Sequence, residues 1–280
     1  MKISLGFSPC PNDTFIFDAM LHGKVDTEGL TFEPVIRDVE ELNKLAARGG
    51  LDMTKLSYHA FAHLRSGYVL LDAGSALGNN CGPLVIARQP LTEAEIHAGP
   101  IAIPGAWTTA NFLLGLAYPG ALNKVEMLFS RIEDAVLNGE VIAGLIIHEN
   151  RFTYQQKGLV KIADLGEYWE SRTGMPIPLG GIAVRRDLEP QLRQKINRVM
   201  ARSVAHALDH PEAPMPYVRQ YAQAMDDEVM MAHIGLYVND FTRDLGDRGK
   251  SAVTRLFAEA AAVGVIDAGG DMLFLGDEFS

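Results

Sequence analysis

The chain has 280 residues, of which 48% are hydrophobic and 21% are charged, and its formal net charge is -10. This composition is typical of a soluble globular protein with a substantial core, and it excludes a disordered scaffold. Nucleic acids and anionic membranes bind clustered Lys and Arg, so the acidic balance argues against both and favours small-molecule partners.

The N-terminal residues and the cysteines indicate a cytoplasmic protein with no membrane attachment. The chain opens directly on a strand pattern, without the basic and apolar regions of a secretory signal. The densest apolar run, from Val141 to Ile147, is far shorter than the roughly 20 residues that cross a bilayer. Cys10 and Cys81 are widely spaced, which suits a reducing compartment and predicts neither a zinc site nor a disulfide scaffold.

The first elements form a strand, a proline-stiffened loop and a helix. Apolar residues alternate over residues 3–7 as in a strand, and the loop SPCPND at 8–13 ends that strand. Asn12 or Asp13 is the predicted cap of a helix from about Thr14 to His22. The first turn of a helix can bind a carboxylate or phosphate, so this junction is either a plain turn or an anion site.

Strands and helices continue to alternate up to residue 88. A capping-box-like pattern at Asp38 and Glu41 predicts a helix, and a strand over 51–57 ends at Ser57, where another helix begins. Further strands follow before residue 89. This alternation predicts an α/β fold with largely parallel pairing.

The middle of the chain has its own alternating pattern and is predicted to be an inserted lobe. Within it, Ser130 and Glu133 form a second capping-box pattern. The Pro- and Gly-containing stretch MPIPLGGIAV at 175–184 is typical of a hinge. We therefore predict a larger, discontinuous lobe of residues 1–88 and 180–280, a smaller lobe of residues 89–179, and a ligand cleft between them.

Ligands in open α/β sheets bind at the carboxyl ends of strands, and polar residues follow several predicted strands. Thr108 is placed to cap a helix, which leaves backbone N–H groups of the same turn for a ligand carboxylate. Ser57 can act in the same way, and Lys55 adds a positive charge. Simple helix capping is the alternative for both hydroxyl residues. The predicted substrate-binding residues are Asn12, Lys55, Leu56, Ser57, Thr108, Thr109 and Ala110.

His148 directly follows the apolar run that ends at Ile147. An imidazole has an ordinary pKa of about 6.5, which suits proton abstraction near neutral pH. The residues alone leave open whether His148 is a general base or a structural histidine.

Other reactive patterns are weak or missing. His59 and His63 are four residues apart, a spacing that can hold a metal, but no third ligand accompanies them. The chain has no Walker loop, dinucleotide fingerprint or Gly-x-Ser-x-Gly motif. We therefore expect no metal site and no organic cofactor.

Five motifs, in order along nearly the whole chain, resemble the 1,4-dihydroxy-6-naphthoate synthase family of the futalosine route to menaquinone. They are SPCPNDTF at 8–15, TKLSYHAF at 54–61, PGAWTTANFLL at 104–114, GLIIHENRFTY at 144–154 and YVNDFTRDLGDRGKSAV at 237–253. The resemblance implies a periplasmic-binding-protein-like fold of type II. It also implies that the histidine of GLIIHE, His148, is the proton acceptor of a cofactor-independent carbon–carbon lyase.

Two other functions and the oligomeric state stay open on the residues alone. A solute-binding protein would use the same cleft without a base, and chorismate dehydratase of the same pathway is thought to share the architecture. The apolar faces of the C-terminal helices, such as Val253, Leu256 and Ala260, could pack on their own lobe or on a second copy. A monomer and a homodimer are both consistent with the sequence.

Overall fold

The computed structural model describes residues 1–148, 150–222, 226–267, 269 and 271–279. The chain divides into two compact units. Unit 1 consists of Met1–Gly78 and Pro178–Ser280, and unit 2 consists of Asn79–Ile177.

Strands and helices alternate through most of both units, as predicted. The strands are β1 (Lys2–Phe7), β2 (Thr31–Ile36), β3 (Met53–Ser57), β4 (Tyr68–Leu70), β5 (Ala76–Gly78), β6 (Leu84–Ala87), β7 (Ile101–Ile103), β8 (Lys124–Glu126), β9 (Ala143–Ile146), β10 (Val160–Asp164) and β11 (Ile177–Arg185). The α-helices are α1 (Pro11–Leu21), α2 (Val39–Ala47), α3 (Tyr58–Leu64), α4 (Glu93–Ala98), α5 (Thr109–Ala117), α6 (Ile132–Leu137), α7 (Asn150–Thr153), α8 (Leu165–Thr173), α9 (Pro190–Asp209), α10 (Met215–Tyr221), α11 (Asp227–Tyr237), α12 (Asp240–Arg243) and α13 (Gly246–Ala262). Within the described ranges, no helix combines the length and the apolar character needed to span a membrane.

The sheet of unit 1 has the strand order β2-β1-β3-β11-β4, and β5 pairs with β11. β1 runs parallel to both β2 and β3. β11 runs antiparallel to β3 and β4, because it brings the chain back into this sheet from unit 2. The pairing is therefore more mixed than the predicted, largely parallel sheet.

The sheet of unit 2 has the strand order β10-β6-β9-β7-β8. β7 is parallel to β8 and β9, and β6 is antiparallel to β9 and β10. β6 thus belongs to the sheet of unit 2, although the predicted first lobe, residues 1–88, includes it. The structure puts the boundary after Gly78, before β6, rather than after residue 88.

The core of unit 1 lies between its sheet and the helices α1 and α9. Phe7 of β1 and Phe17 of α1 are fully buried, with ring centroids 4.7 Å apart. Val253, Leu256 and Ala260 of α13 are also buried within this chain. These side chains are therefore covered without a second copy, and this burial does not decide between a monomer and a homodimer.

The core of unit 2 is smaller and surrounds β6, β7 and β9. Apolar side chains of α6 pack against this sheet, among them Ile132 and Val136. Trp169 of α8 is fully buried, and its indole Nε1 donates a hydrogen bond of 3.1 Å to the Pro176 carbonyl. The sheet edge that carries His148 is therefore built on a well-packed support.

Candidate active site

The SPCPND loop leads into α1 earlier than predicted. α1 begins at Pro11 with Cys10 as its N-cap residue, so the prediction of a helix from Thr14 capped by Asn12 or Asp13 is wrong. Proline suits the first helical position because its fixed φ matches the helix and it has no N–H to satisfy. Asn12 and Asp13 therefore lie inside the first turn.

Asp13 is the centre of a buried polar network in unit 1. Its Oδ2 accepts hydrogen bonds from the Ser8 N–H at 3.1 Å and the Ser8 hydroxyl at 2.7 Å. Its Oδ1 accepts from Asn12 Nδ2 at 2.9 Å and from Lys55 Nζ at 2.8 Å. The positive charge of Lys55 is therefore compensated inside the protein, a pairing that no sequence pattern predicted.

His233 extends this network from the far end of the sequence. It lies on α11, is fully buried, and its Nε2 is 2.9 Å from Asn12 Oδ1. Asn12 Nδ2 is directed to the Asp13 carboxylate, which can only accept, so the Asn12 oxygen faces the histidine. An amide oxygen also only accepts, and His233 Nε2 therefore carries a proton in this contact. No sequence signal pointed to His233.

Ser57 is held by Asn43 and does not cap its helix with its side chain. It is the last residue of β3 and the N-cap residue of α3, and its hydroxyl makes no capping hydrogen bond. Its N–H donates to Asn43 Oδ1 at 3.1 Å, and its hydroxyl accepts from Asn43 Nδ2 at 3.2 Å. Leu56 is fully buried and pairs with Gly181 of β11. Asn43 thus fixes the backbone at the end of β3.

Thr108 caps α5, and this prediction is confirmed. Its hydroxyl oxygen accepts from the Asn111 N–H at 3.2 Å, and its O–H donates to the Gly105 carbonyl at 2.8 Å. Thr108, Thr109 and Ala110 are all buried. The N-terminal turn of α5 is therefore rigidly placed after β7.

His148 follows β9 and Ile147 and is half-buried. Its φ is +58°, in the left-handed region that residues with a side chain seldom adopt. Such a backbone conformation costs roughly 1–3 kcal/mol and clusters at functional sites. The imidazole packs edge-on against the Phe129 ring, with centroids 4.9 Å apart. Glu149, the next residue of the motif, lies outside the described residues.

In each unit, the candidate residues lie beyond the carboxyl ends of two neighbouring parallel strands. In unit 1, the SPCPND loop follows β1 and Ser57 ends β3, and these strands pair in parallel. In unit 2, the Thr108 turn follows β7 and His148 follows β9, which also pair in parallel. The structure thus groups Asn12 with Lys55 through Asp13, and it places Thr108 and His148 on the same sheet edge.

The histidine pair on α3 is a local contact. His59 Nε2 and His63 Nε2 lie 3.3 Å apart, and burial lowers the pKa of His63. Over the part of the chain that the structure describes, no three His, Cys, Asp or Glu side chains are grouped so that they could hold a metal ion.

Solved structures share this fold. A crystal structure of a protein from Archaeoglobus fulgidus is 39% identical, with a TM-score of 0.89 over 95% of this chain and 98% of that one. An alkanesulfonate-binding protein from Xanthomonas axonopodis has a TM-score of 0.64 at 13% identity, covering 84% of both chains. A Candida albicans protein described as having the generic periplasmic-binding-protein fold has a TM-score of 0.67 at 15% identity, covering 97% of this chain and 92% of that one. The predicted periplasmic-binding-protein-like α/β fold is confirmed.

Two curated relatives match nearly the full chain. A 1,4-dihydroxy-6-naphthoate synthase from Thermus thermophilus is 52% identical over 263 residues, which are 94% of this chain and 95% of the relative. A protein of the same name from Streptomyces coelicolor is 43% identical over 273 residues, 96% of each chain. The family model described as menaquinone biosynthesis matches residues 3–262. With this match over most of its length, the chain belongs to the menaquinone biosynthesis family.

Proposed function

We propose that this protein is a 1,4-dihydroxy-6-naphthoate synthase, a carbon–carbon lyase of the futalosine route to menaquinone. Its substrate is cyclic dehypoxanthine futalosine and its product is 1,4-dihydroxy-6-naphthoate. Support comes from the names of the two relatives at 52% and 43% identity and from the menaquinone biosynthesis family.

The observation that carries the mechanism is the shared edge of β7 and β9. α5 follows β7 and His148 follows β9, so both come after neighbouring parallel strands, at the same edge of the unit 2 sheet. A helix N-terminus favours an anion, and an imidazole can take a proton. This combination suits a carboxylated substrate that loses a proton.

In the proposed reaction, His148 removes a proton from the spiro-fused substrate. The bond to the sugar-derived fragment then breaks, and the remaining ring system becomes aromatic. Aromatisation supplies the thermodynamic drive, so the protein has to position the substrate and the base. The Thr108 cap engages the N–H of Asn111, and the N–H groups of Thr109 and Ala110 bind the substrate carboxylate. We expect no metal or organic cofactor.

Residues of unit 1 supply further substrate contacts in this proposal. Leu56 and Ser57 act at the end of β3, where Asn43 holds the backbone. Lys55 lies on β3 itself and Asn12 lies in the first turn of α1, which follows the neighbouring strand β1, and the Asp13 network fixes both side chains. Asp13 already compensates the charge of Lys55. Lys55 therefore contributes more by holding the position of α1 against β3 than by attracting a distant anion.

The alternatives receive less support. Four solute-binding proteins that resemble this chain are only 10–14% identical, and at that level they share the fold alone. The full-length relatives carry the synthase name, which also favours this reaction over chorismate dehydration.

The test is to incubate the purified protein with cyclic dehypoxanthine futalosine and to follow the naphthoate by absorbance and mass spectrometry. Parallel incubations with chorismate test the dehydratase alternative. We expect turnover of the futalosine derivative only. Recovery of the unchanged futalosine derivative, bound but not converted, would support a solute-binding protein and contradict the proposal.

A further inference from the structure

Glu133 is a buried carboxylate near His148 that the proposed reaction does not use. It lies on α6, and its exposed fraction is 0%. The sequence pattern predicts a capping box of Ser130 and Glu133, but this prediction is wrong. α6 begins at Ile132 after a short 3-10 turn, and Arg131 is its N-cap residue without a side-chain cap.

One oxygen of Glu133 joins both ends of the segment that follows His148. Its Oε2 accepts a hydrogen bond from Asn150 Nδ2, and the ammonium group of Lys157 lies 2.6 Å from the same oxygen. Between these two contacts, Tyr154 is buried in the core of unit 2. The first and last residues of segment 150–157 are therefore both bound to α6 through Glu133.

The other side of the same segment is held by a second carboxylate. Arg151 Nη2 is 2.7 Å from Asp164 Oδ2, and Arg151 Nη1 donates to the Gly82 carbonyl. Successive residues, Asn150 and Arg151, are thus tied to different elements. This arrangement constrains the backbone that leaves His148.

The element that carries Glu133 is itself packed tightly against the strand that leads to His148. A Cβ atom added at Gly144 of β9 would lie 2.5 Å from Ile132 Cγ2 and 2.9 Å from Val136 Cγ2, so α6 sits directly on β9. Phe129, in the turn that leads into α6, contacts the imidazole ring. The segment 129–133 therefore touches the ring of His148 and holds the residues after it.

We propose that Glu133 is a positioning residue that fixes the left-handed turn at His148 through Asn150 and Lys157. A left-handed conformation at a residue with a side chain persists where its surroundings enforce it, and here β9 enforces it from one side and Glu133 from the other. The catalytic part of this proposal rests on the proposed role of His148 as the base. Its structural part does not.

The main experiment compares Glu133→Ala, Glu133→Gln and the control Glu140→Ala, whose carboxylate is exposed close to the end of α6. We expect Glu133→Ala to lower kcat at least tenfold and to change KM less than threefold. Glu133→Gln keeps an acceptor for Asn150 and should recover part of kcat. Glu140→Ala should behave as the wild type.

A second measurement separates this proposal from the proposed function. The ring signals of His148 can be assigned in ¹⁵N-histidine NMR spectra by their loss in His148→Asn. Glu133→Ala should shift or broaden them, whatever the reaction is. If wild-type protein gives no naphthoate but these signals move, the proposed function fails and the positioning role stands.

The proposal is overturned if Glu133→Ala leaves both kcat and the His148 signals within error of the wild type. If Glu133→Ala does not fold, Asn150→Ala and Lys157→Met replace it in both measurements. Each of them removes one of the two contacts to Glu133 Oε2. Unchanged kcat and unchanged signals in both of these variants contradict the proposal equally.

Discussion

Lys55 Nζ lies 2.8 Å from Asp13 Oδ1, and both side chains are buried, with exposed fractions of 7% and 1%. This ion pair links α1, which follows β1, to β3. Removing one partner of a buried pair leaves the other charge uncompensated, which is far more costly than losing an exposed pair.

We expect Lys55→Met to lower the free energy of unfolding by about 3–5 kcal/mol. The double variant Lys55→Met with Asp13→Asn should lose less than the sum of the single variants, because it leaves no buried charge. Urea unfolding of Lys55→Met, Asp13→Asn and the double variant measures the three losses of stability. Lys2→Met is the matched control, since Lys2 and Glu33 form an exposed pair, and its effect should be much smaller. Additive losses at Lys55 and Asp13 would contradict the coupling.

Thr108→Val removes the cap of α5 and disturbs the proposed carboxylate site. We expect stability to fall by about 1 kcal/mol and substrate binding to weaken by roughly 1–3 kcal/mol, whereas Thr108→Ser should retain both. Thr92 caps α4 in the same way, with its side chain accepting from the Glu95 N–H. Thr92→Val should therefore lower stability without changing KM. A normal KM in Thr108→Val would remove this turn from the site.

Alkaline pH should destabilise the protein through buried acidic groups. Burial raises the pKa of the Cys81 thiol from 9.0 to about 12 and that of the Tyr68 phenol from 10.0 to about 12. Between the ordinary and the raised pKa, the unfolded chain loses a proton that the folded chain keeps, so stability decreases as the pH rises from about 9 toward 12. Each group contributes at most about 1.4 kcal/mol per pH unit.

Urea unfolding at a series of pH values from 8 to about 11 measures this decrease. Cys81→Ala should show a shallower decline than the wild type above pH 9. An identical decline in both proteins would show that Cys81 does not contribute.

Chelation should leave turnover unchanged. The described residues hold no group of three His, Cys, Asp or Glu side chains suited to a metal ion, and the proposed proton transfer needs none. Steady-state assays before and after EDTA treatment test this expectation. Activity that disappears with EDTA and returns with a divalent ion would require a metal in the mechanism.

The sequence predicts features that depend on local chemistry. The Thr108 cap of α5, the Asp38 cap of α2 and the position of His148 shortly after β9 all follow from short patterns. Each of them is decided within a few residues of the chain, where capping hydrogen bonds and strand alternation act.

Features that join distant segments could not be predicted in this way. His233 meets Asn12 across more than two hundred residues, and Lys55 of β3 meets Asp13 of α1. Glu133 resembles a capping residue locally, but tertiary packing directs its carboxylate to Asn150 and Lys157. A buried polar group must have a hydrogen-bond partner, and when that partner is distant in sequence, local capping patterns do not predict the contact.

His148→Asn is the most direct test of the proposed chemistry, because this substitution should not disturb the backbone. Asparagine tolerates the left-handed conformation that His148 adopts at φ +58°, so the turn should survive the substitution. An amide cannot accept a proton near neutral pH. We therefore expect kcat to fall by on the order of 10² to 10⁴, with a smaller change in KM and little change in Tm.

The control is His210→Asn, which changes an exposed histidine at the end of α9 and should leave kcat unaltered. The pH profile adds an independent check. The kcat/KM of the wild type should fall as the pH drops below the pKa of the base, because a protonated imidazole cannot take the substrate proton. A folded His148→Asn variant that keeps near-normal turnover would place the base elsewhere, and Asp13 in the SPCPND loop would be the next residue to change.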